Sequence, residues 1–294
     1  MPIRGAVYVN GRIARAEEAV VPVYDHGFLY GEGIYETLRT YDGIPFLYER
    51  HVERLRASAA HLALDVPFTD EALRQAIGDT MGAAGTMAEA YIRVLLTRGV
   101  GELTYDLRST PVPSLVIIVK PLDEPAARVF TDGIRISLVP ILRNHPGSVS
   151  PIIKSNNLLN NALGSQEASR RGAFEGIMRN YRGELSECTT ANLFVVKGGA
   201  VLTPPLEAGI LPGITREFVF EVGATIGVPV REAVLRDDDF YSADEAFLTS
   251  TTREVVPIVR VDDRVIGTGR PGPATLELLD AFRVRAQGLV QHRG

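Results

Sequence analysis

Residues 150–161 read Ser-Pro-Ile-Ile-Lys-Ser-Asn-Asn-Leu-Leu-Asn-Asn, a short apolar run that leads through Lys154 into a predicted helix over 156–171. Lysine is rarely buried unless it is paired or chemically used. An apolar setting favours the neutral, nucleophilic amine, which is the form that condenses with an aldehyde. The alternative is a strand-end lysine whose amine extends to solvent. This stretch makes Lys154 a candidate nucleophile.

Lysine is scarce in this chain. Of 31 basic residues only Lys120, Lys154 and Lys197 are lysines, so chemistry that needs a primary amine has three candidates. Lys120 ends a predicted strand beside a proline, and Lys197 lies in a Val-Lys-Gly-Gly turn. Both therefore have simpler structural explanations than Lys154.

A second stretch carries an acid. Residues 183–194 read Gly-Glu-Leu-Ser-Glu-Cys-Thr-Thr-Ala-Asn-Leu-Phe and place Glu187 between a predicted turn and an apolar strand. A buried carboxylate needs a cationic or hydrogen-bonded partner, and a protonated pyridine nitrogen would be one. A glutamate that caps a helix or belongs to a turn is the alternative.

Two further stretches offer anion sites. Residues 211–218, Leu-Pro-Gly-Ile-Thr-Arg-Glu-Phe, lead into an amphipathic helix predicted over 214–226. The N–H groups at its start, near Ile214 and Thr215, suit a phosphate, with ordinary helix capping as the alternative. Residues 249–252, Thr-Ser-Thr-Thr, offer hydroxyl donors between two predicted strands, or form a plain threonine-rich connection.

An amine, a buried acid and two anion sites are the set that pyridoxal 5′-phosphate requires. With its motifs in this order, the chain resembles the class IV (fold type IV) pyridoxal-phosphate aminotransferases, which include branched-chain and D-amino-acid aminotransferases and aminodeoxychorismate lyase. The likeness runs from Val7 to about Phe282. The motifs that carry it are Tyr30-Gly-Glu-Gly-Ile-Tyr35-Glu36, His51-Val-Glu-Arg54-Leu, Lys154-Ser-Asn-Asn157, Glu187 with Asn192, Leu-Pro-Gly-Ile-Thr-Arg over 211–216, and Thr251 ahead of Glu254.

The resemblance implies roles for individual residues. Lys154 would bind the cofactor aldehyde covalently and move the proton between the substrate Cα and C4′ of the cofactor, and Glu187 would pair with the pyridinium nitrogen. Leu159 stands where branched-chain enzymes commonly have a tyrosine that contacts the ring oxygen, so that contact is lost or supplied elsewhere. The other cofactor-binding candidates are Arg54, Asn192, Ile214, Thr215, Ser250 and Thr251.

The substrate candidates begin on a predicted strand. In Tyr91-Ile-Arg93 a period of two puts the phenol and the guanidinium on one face, where they could organise a carboxylate. The alternative is that Arg93 pairs with a nearby acid. This pair is similar to the branched-chain pattern, whereas the loop after Gly99 carries Leu103 and Tyr105 in place of the Arg and His of D-specific enzymes. The other substrate-binding candidates are Tyr30, Tyr35 and Thr252.

The expected activity is a ping-pong transamination that moves an amino group between an amino acid and a 2-oxo acid such as 2-oxoglutarate. Branched-chain L-amino acids are the favoured donors. The alternatives are a D-amino-acid or (R)-amine transaminase, an aminodeoxychorismate lyase that eliminates pyruvate with the same cofactor, and a binding protein with a relic site. The resemblance also implies a homodimer with a shared active site.

Strands and helices mix without a strict βαβ order, which favours an α+β fold. We expect two domains, as the resemblance also implies: a smaller N-terminal α/β domain over 1–120 and a larger cofactor-binding domain over 131–294, joined by a linker over 121–130. Asn10-Gly11 predicts a hairpin, and Thr69 predicts the start of a helix.

The composition excludes other classes. The 294 residues are 45% apolar and 23% charged, with a net charge of −5 and one cysteine. These values are typical of a globular protein from a reducing compartment, and the chain shows neither a signal peptide nor an apolar run long enough to span a bilayer. No dinucleotide or Walker A motif is present, and the five histidines show no metal-ligand spacing. We therefore expect a cytoplasmic protein without a metal, a nucleic-acid partner or a membrane partner.

Overall fold

The computed structural model describes residues 4–85 and 89–291. This part of the chain divides into two compact units. The first comprises the described residues up to Asp123 together with Ile153–Asn157, and the second comprises Glu124–Ile152 and the described residues from Leu158 onward. The predicted C-terminal domain over 131–294 included the short segment that falls in the first unit. The predicted domain boundaries stay predictions.

The first unit is built on an antiparallel sheet of six strands in the order β2-β1-β6-β5-β3-β4. Its strands are β1 (Ala6–Val9), β2 (Arg12–Arg15), β3 (Gly33–Tyr41), β4 (Ile44–Pro45), β5 (Ala90–Thr97) and β6 (Ser114–Pro121). Its helices are α1 (His26–Leu29), α2 (Tyr48–His61) and α3 (Asp70–Ala83), and a 3₁₀ turn spans Leu107–Ser109. The α2 and α3 helices pack their apolar faces on this sheet.

Local sequence rules account for much of this unit. Asn10 and Gly11 both have positive φ, as a two-residue hairpin turn between β1 and β2 requires. The Thr69 hydroxyl accepts a hydrogen bond from the backbone N–H of Ala72 and caps α3, as predicted. Leu73 and Ile77 on the inner face of α3 are fully buried.

The second unit is built on a mixed nine-stranded sheet in the order β12-β11-β10-β13-β14-β7-β8-β9, with β15 paired to β14. Its strands are β7 (Ile134–Leu142), β8 (Glu175–Arg179), β9 (Leu185–Cys188), β10 (Asn192–Lys197), β11 (Ala200–Thr203), β12 (Val230–Glu232), β13 (Glu245–Ser250), β14 (Glu254–Val261) and β15 (Arg264–Val265). Its helices are α4 (Arg128–Thr131), α5 (Leu159–Arg170), α6 (Ile214–Ile226), α7 (Asp237–Tyr241) and α8 (Pro273–Gln291), with a 3₁₀ turn over Leu206–Ala208.

Helices α5, α6 and α8 pack against the sheet of the second unit. The edge of the Phe218 ring on α6 contacts the Phe282 ring on α8 at 5.0 Å between centroids. The α5 helix packs on β7 and β8 around Ala168 and Met178. Strands and helices are therefore mixed in an α+β arrangement, as predicted.

The helix predicted over 156–171 begins later, at Leu159. The reason is a long-range pairing with β3. The backbone N–H of Tyr35 donates to the carbonyl of Lys154 at 2.9 Å, and the N–H of Asn156 donates to the carbonyl of Gly33 at 2.8 Å. Residues held in this extended pairing cannot join a helix.

Two other local predictions were incomplete. The linker predicted over 121–130 contains the last residue of β6 and the first turn of α4. The region around Glu187, predicted to lie between a turn and a strand, forms a short strand of its own, β9. Within the described ranges, no helix is both long enough and apolar enough to cross a membrane.

Thr69 provides a stability test of the first unit. Thr69→Ala should lower the free energy of unfolding by about 1 kcal/mol, because the N–H of Ala72 loses its cap. The measurement is urea unfolding at neutral pH. Thr69→Ser keeps the hydroxyl and should stay close to the wild type. Equal losses in both variants would contradict a capping role.

Candidate active site

In the first unit, the segment 153–157 places Lys154 over an aromatic ring. Its Nζ lies 4.4 Å from the centroid of the Tyr35 ring, and its backbone N–H donates to the Ser58 hydroxyl at 3.2 Å. Nζ has no hydrogen bond or ion pair in the part of the chain that the structure describes. The other two lysines are paired: Lys120 Nζ lies 2.5 Å from Asp123, and Lys197 Nζ lies 3.4 Å from Asp239. Lys154 is thus the lysine whose amine remains available.

A second cation, the Arg93 guanidinium, lies over the Tyr35 ring. The guanidinium carbon of Arg93 lies 4.1 Å from the Tyr35 centroid. The Nε atom of Arg93 is buried without a hydrogen-bond partner, and within the described ranges its guanidinium has no ion pair. The predicted alternative, pairing of Arg93 with an acid, is not found there. Two cations therefore lie over one phenol ring, and within the described ranges neither has an acidic partner.

The faces of β5 follow the predicted alternation. Ile92 and Val94 are buried in the core, whereas Tyr91 and Arg93 are half-buried on the opposite face. The ring of Tyr91 also lies 5.5 Å from Lys120 Nζ.

Arg54 belongs to a buried ionic cluster with Glu36 and His51. Two guanidinium nitrogens of Arg54 donate to the two carboxylate oxygens of Glu36 at 2.7 and 2.8 Å, and Nδ1 of His51 lies 2.7 Å from Glu36 Oε2. Burial alone would raise the pKa of Glu36, but the attraction and hydrogen bonds of Arg54 and His51 lower it to about 2. Burial lowers the pKa of His51, which favours the neutral imidazole donating from Nδ1. The cluster therefore fixes the orientation of Arg54.

In the second unit, Glu187 is buried on β9 and fully engaged. Its Oε1 accepts from Nε of Arg143 at 2.9 Å. Its Oε2 accepts from the backbone N–H of Leu211 at 3.0 Å and lies 3.4 Å from the amide nitrogen of Asn192. The Arg143 guanidinium also donates to the side-chain oxygen of Asn160 at 3.1 Å. The negative charge of Glu187 is held by a fixed set of donors.

The start of α6 lies beside this acid. Asn192, the first residue of β10, donates to the carbonyl of Leu211 at 3.1 Å. Gly213 is the N-cap of α6, and a Cβ atom there would collide with the side-chain oxygen of Asn192. Among the described residues no side chain caps this helix, so the N–H groups at Ile214 and Thr215 are left for another acceptor.

The hydroxyl-rich turn after β13 is held by an arginine. Nε of Arg253 donates to the Ser250 hydroxyl at 3.0 Å, and both terminal nitrogens lie 3.2 Å from Oε2 of Glu175. Thr251 and Thr252 lie in the turn between these anchors and are half-buried. Leu159, at the start of α5, is exposed.

Sequence reasoning missed the residues that hold the predicted ones in place. Arg143 and Arg253 each pair with a buried glutamate distant in sequence, and no local pattern distinguishes either from the other arginines. Glu36 and His51 lay within quoted motifs but had no assigned role. His51 is buried rather than exposed on the helix surface, and His292 lies outside the described residues. Across those residues no group of three His, Cys, Asp or Glu side chains could hold a metal ion.

The cluster around Glu36 predicts a specific pH dependence. A carboxyl whose pKa falls from 4.5 to about 2 on folding stabilises the fold above pH 4.5 and loses that stabilisation as the pH falls towards 2. The contribution is about 3 kcal/mol. In Glu36→Gln, the free energy of unfolding, measured with urea from pH 7 downward, should therefore decline less below pH 4.5 than in the wild type.

Asp263→Asn serves as the control, because its side chain is 100% exposed. Its decline with falling pH should match that of the wild type. A Glu36→Gln curve parallel to the wild type throughout would contradict the assigned role of the cluster.

Comparison with known proteins places this chain in a family. The sequence model of the class IV amino-transferases matches residues 33–261. A Methanocaldococcus jannaschii protein provisionally named a branched-chain-amino-acid aminotransferase is 37% identical over 277 residues, covering 94% of this chain and 95% of its own length. A D-alanine aminotransferase of Listeria innocua is 34% identical over 292 residues, covering 97% and 99%.

A solved structure agrees. The branched-chain amino acid aminotransferase of Thermobaculum terrenum, in its pyridoxal-phosphate (holo) form, superimposes with a TM-score of 0.84 at 28% identity, covering 97% of this chain and 94% of that one. The expected fold type IV architecture is confirmed by this likeness. With three-quarters of its length matched by the family model and relatives above 30% identity along nearly all of it, the chain belongs to the class IV aminotransferase family.

Proposed function

We propose that this aminotransferase uses pyridoxal 5′-phosphate and transfers the amino group of a branched-chain L-amino acid to a 2-oxo acid such as 2-oxoglutarate, in two half-reactions of a ping-pong cycle. The observation that carries the proposal is the state of the three lysines. Only Lys154 has an amine without a hydrogen bond or ion pair in the described part of the chain, and this amine lies on an aromatic ring. A nucleophilic lysine needs that freedom.

The residues present fit the cofactor. An uncapped helix start with a glycine, where a side chain would collide with Asn192, is a suitable cradle for a phosphate. Thr215 and Thr251 carry hydroxyls suited to the same anion, and the guanidinium of Arg54, oriented by Glu36, would add charge. Ile214, Asn192 and Ser250 complete the proposed cofactor-binding set.

When bound, the cofactor supplies an electron sink that stabilises the negative charge left on a substrate carbon after its proton is removed. Glu187, held by Arg143 and by the N–H of Leu211, is suited to keep a ring nitrogen protonated, because its charge and position are fixed before the ring arrives. Lys154 Nζ is the group that would hold and move the proton between the substrate Cα and C4′ of the cofactor.

Arg93 supports the part of the proposal that concerns the substrate. Its buried Nε lacks a partner in the described ranges, and its guanidinium lies on Tyr35, so a substrate carboxylate would complete its interactions. Tyr91 shares its face of β5, and the half-buried turn residue Thr252 offers a hydroxyl. Tyr30 and Tyr35 would form apolar walls for the donor side chain.

A second candidate function is favoured by one observation. A D-alanine aminotransferase is among the relatives, at 34% identity over nearly the full chain. Against it, the loop after β5 has Leu103 and Tyr105 where D-specific enzymes carry Arg and His, so the known carboxylate site of those enzymes is missing. The L-specific reading therefore has the stronger support.

We also propose that the chain acts in the cytoplasm as a homodimer with a shared active site. Large apolar side chains are exposed in the first unit, among them Phe28, Leu103 and Tyr105. Clusters of exposed apolar side chains are typical of surfaces that bind another protein.

The role of Lys154 is testable by substitution. Lys154→Ala should reduce the exchange of amino groups by about 10⁴-fold or more, because both the covalent attachment and the proton carrier are lost. It should also remove the visible absorption band of the bound cofactor. Lys120→Ala and Lys197→Ala are matched controls, since each removes a lysine amine that is paired elsewhere. Loss of activity in a control at unchanged stability, or its retention in Lys154→Ala, would contradict the assignment.

The donor class is testable by stopped-flow spectroscopy of the half-reaction. L-Leucine should convert the cofactor faster than D-alanine, D-glutamate or (R)-1-phenylethylamine, because the D-specific carboxylate site is missing. Conversion by D-alanine alone would replace the branched-chain proposal with the D-amino-acid one. Formation of pyruvate and 4-aminobenzoate from aminodeoxychorismate, without amine exchange, would instead indicate a lyase.

A further inference from the structure

The loop after β5, residues 99–106, is fastened to the segment before β3. The backbone N–H of His26 donates to the carbonyl of Gly99 at 2.9 Å, and the N–H of Gly101 donates to the carbonyl of Tyr24 at 3.3 Å. Between them, Asp25 and Val100 form an isolated antiparallel bridge. These contacts hold only the beginning of the loop.

The His26 side chain holds the part further along. The ring is 1% exposed, and its Nε2 atom lies 2.9 Å from the backbone carbonyl of Glu102. A carbonyl oxygen only accepts, so Nε2 must carry a hydrogen and donate it. The other ring nitrogen, Nδ1, lies 3.1 Å from Oε2 of Glu32. One buried ring thus connects the middle of the loop to the start of β3.

The partner of that ring is itself anchored. Oε1 of Glu32 lies 3.4 Å from Nε of Arg98. The buried Arg98 donates to the carbonyls of Leu62 at 2.6 Å and Ala63 at 3.3 Å, at the end of α2. The contact of His26 with the loop is therefore braced against the helix layer of the first unit.

The side chains that this arrangement displays are apolar. The His26 ring meets the Tyr30 ring edge-on, with 4.9 Å between centroids, and the Tyr105 ring lies 5.1 Å from that of Tyr30. Leu103 and Tyr105 are 65% and 79% exposed. Both residues follow Glu102 closely in the chain, so the His26 contact holds the backbone next to the segment that carries them.

We propose that His26 is a positioning residue for substrate selection. By donating from Nε2 to the Glu102 carbonyl, it fixes the loop and Tyr30 so that Leu103 and Tyr105 present an apolar surface to the substrate side chain. This inference rests on the proposed function for its substrate, and on the contacts of the first unit for the loop. His26 contacts no reacting atom in this scheme, so it should affect binding of the donor more than its turnover.

Two isosteric variants separate the two ring contacts. In His26→Gln the amide nitrogen takes the place of Nε2 and can still donate to the Glu102 carbonyl. In His26→Asn it takes the place of Nδ1, which keeps the Glu32 contact and loses the loop contact. Both variants are compared with the wild-type holoenzyme by hydrogen–deuterium exchange of peptides covering 99–106 and by the kinetics of the half-reaction with L-leucine. Peptides of α2 report whether the fold is intact.

In His26→Asn, exchange in 99–106 should accelerate about tenfold, the effect of losing one buried hydrogen bond. The KM for L-leucine should rise by about the same factor with kcat within about twofold. His26→Gln should restore both values to near those of the wild type. Identical behaviour of the two variants would show that His26 only fills space and would overturn the proposal, as would a free loop with an unchanged KM.

If His26→Asn does not fold, Glu32→Gln tests the same assignment. Nε2 still donates to the Glu102 carbonyl in this variant, so exchange in 99–106 should stay within about twofold of the wild type. A tenfold acceleration would instead assign the loop to the Glu32 contact and contradict the proposal. Hydrogen–deuterium exchange is measured without turnover, so it tests the loop contact independently of activity. If no amine gave a half-reaction, the proposed function would be refuted, but the exchange data would still test the contact of His26 with the loop.

Discussion

Two backbone hydrogen bonds determine where the amine of Lys154 lies. They pair residues 154–156 with the first residues of β3. This part of the edge of β3 is free because β4 pairs only with Thr40 and Tyr41, at the other end of the strand. Gly33 permits this close approach. A Cβ atom at this position would lie 2.5 Å from the side-chain amide nitrogen of Asn156 and 2.9 Å from the backbone carbonyl oxygen of Leu96. With the backbone held in this way, Lys154 extends over the Tyr35 ring, which projects from the same strand.

The buried acids differ from Lys154 and Arg93 in how their charges are neutralised. Glu187, Glu175 and Glu36 are buried carboxylates, and each has an arginine within 3.2 Å. Burying a charge without a partner is costly, so these pairs exist before any ligand binds. Lys154 and Arg93, by contrast, have no acidic partner in the described part of the chain.

Short-range signals made a large part of the structure predictable. The cap at Thr69, the hairpin at Asn10-Gly11 and the bounds of α6 depend on residues within one turn or one strand. The start of α5 could not be predicted in this way, because it is set by pairing with β3, some 120 residues earlier in the chain. The arginine partners of the buried acids are equally non-local: Arg143 reaches Glu187 across 44 positions and Arg253 reaches Glu175 across 78. Such pairings are specified by the completed sheets rather than by neighbouring residues.

The route of the chain constrains how such a protein can be inherited and made. The backbone passes from the first unit to the second, returns for Ile153–Asn157 and leaves again. A gene fragment ending at Asp123 would encode the whole six-stranded sheet yet lack Lys154, so recombination at that boundary cannot transfer the complete first unit. During translation, the ribosome must deliver about thirty further residues before the first unit can close. The first unit can therefore be completed only after the segment Ile153–Asn157 has been synthesised.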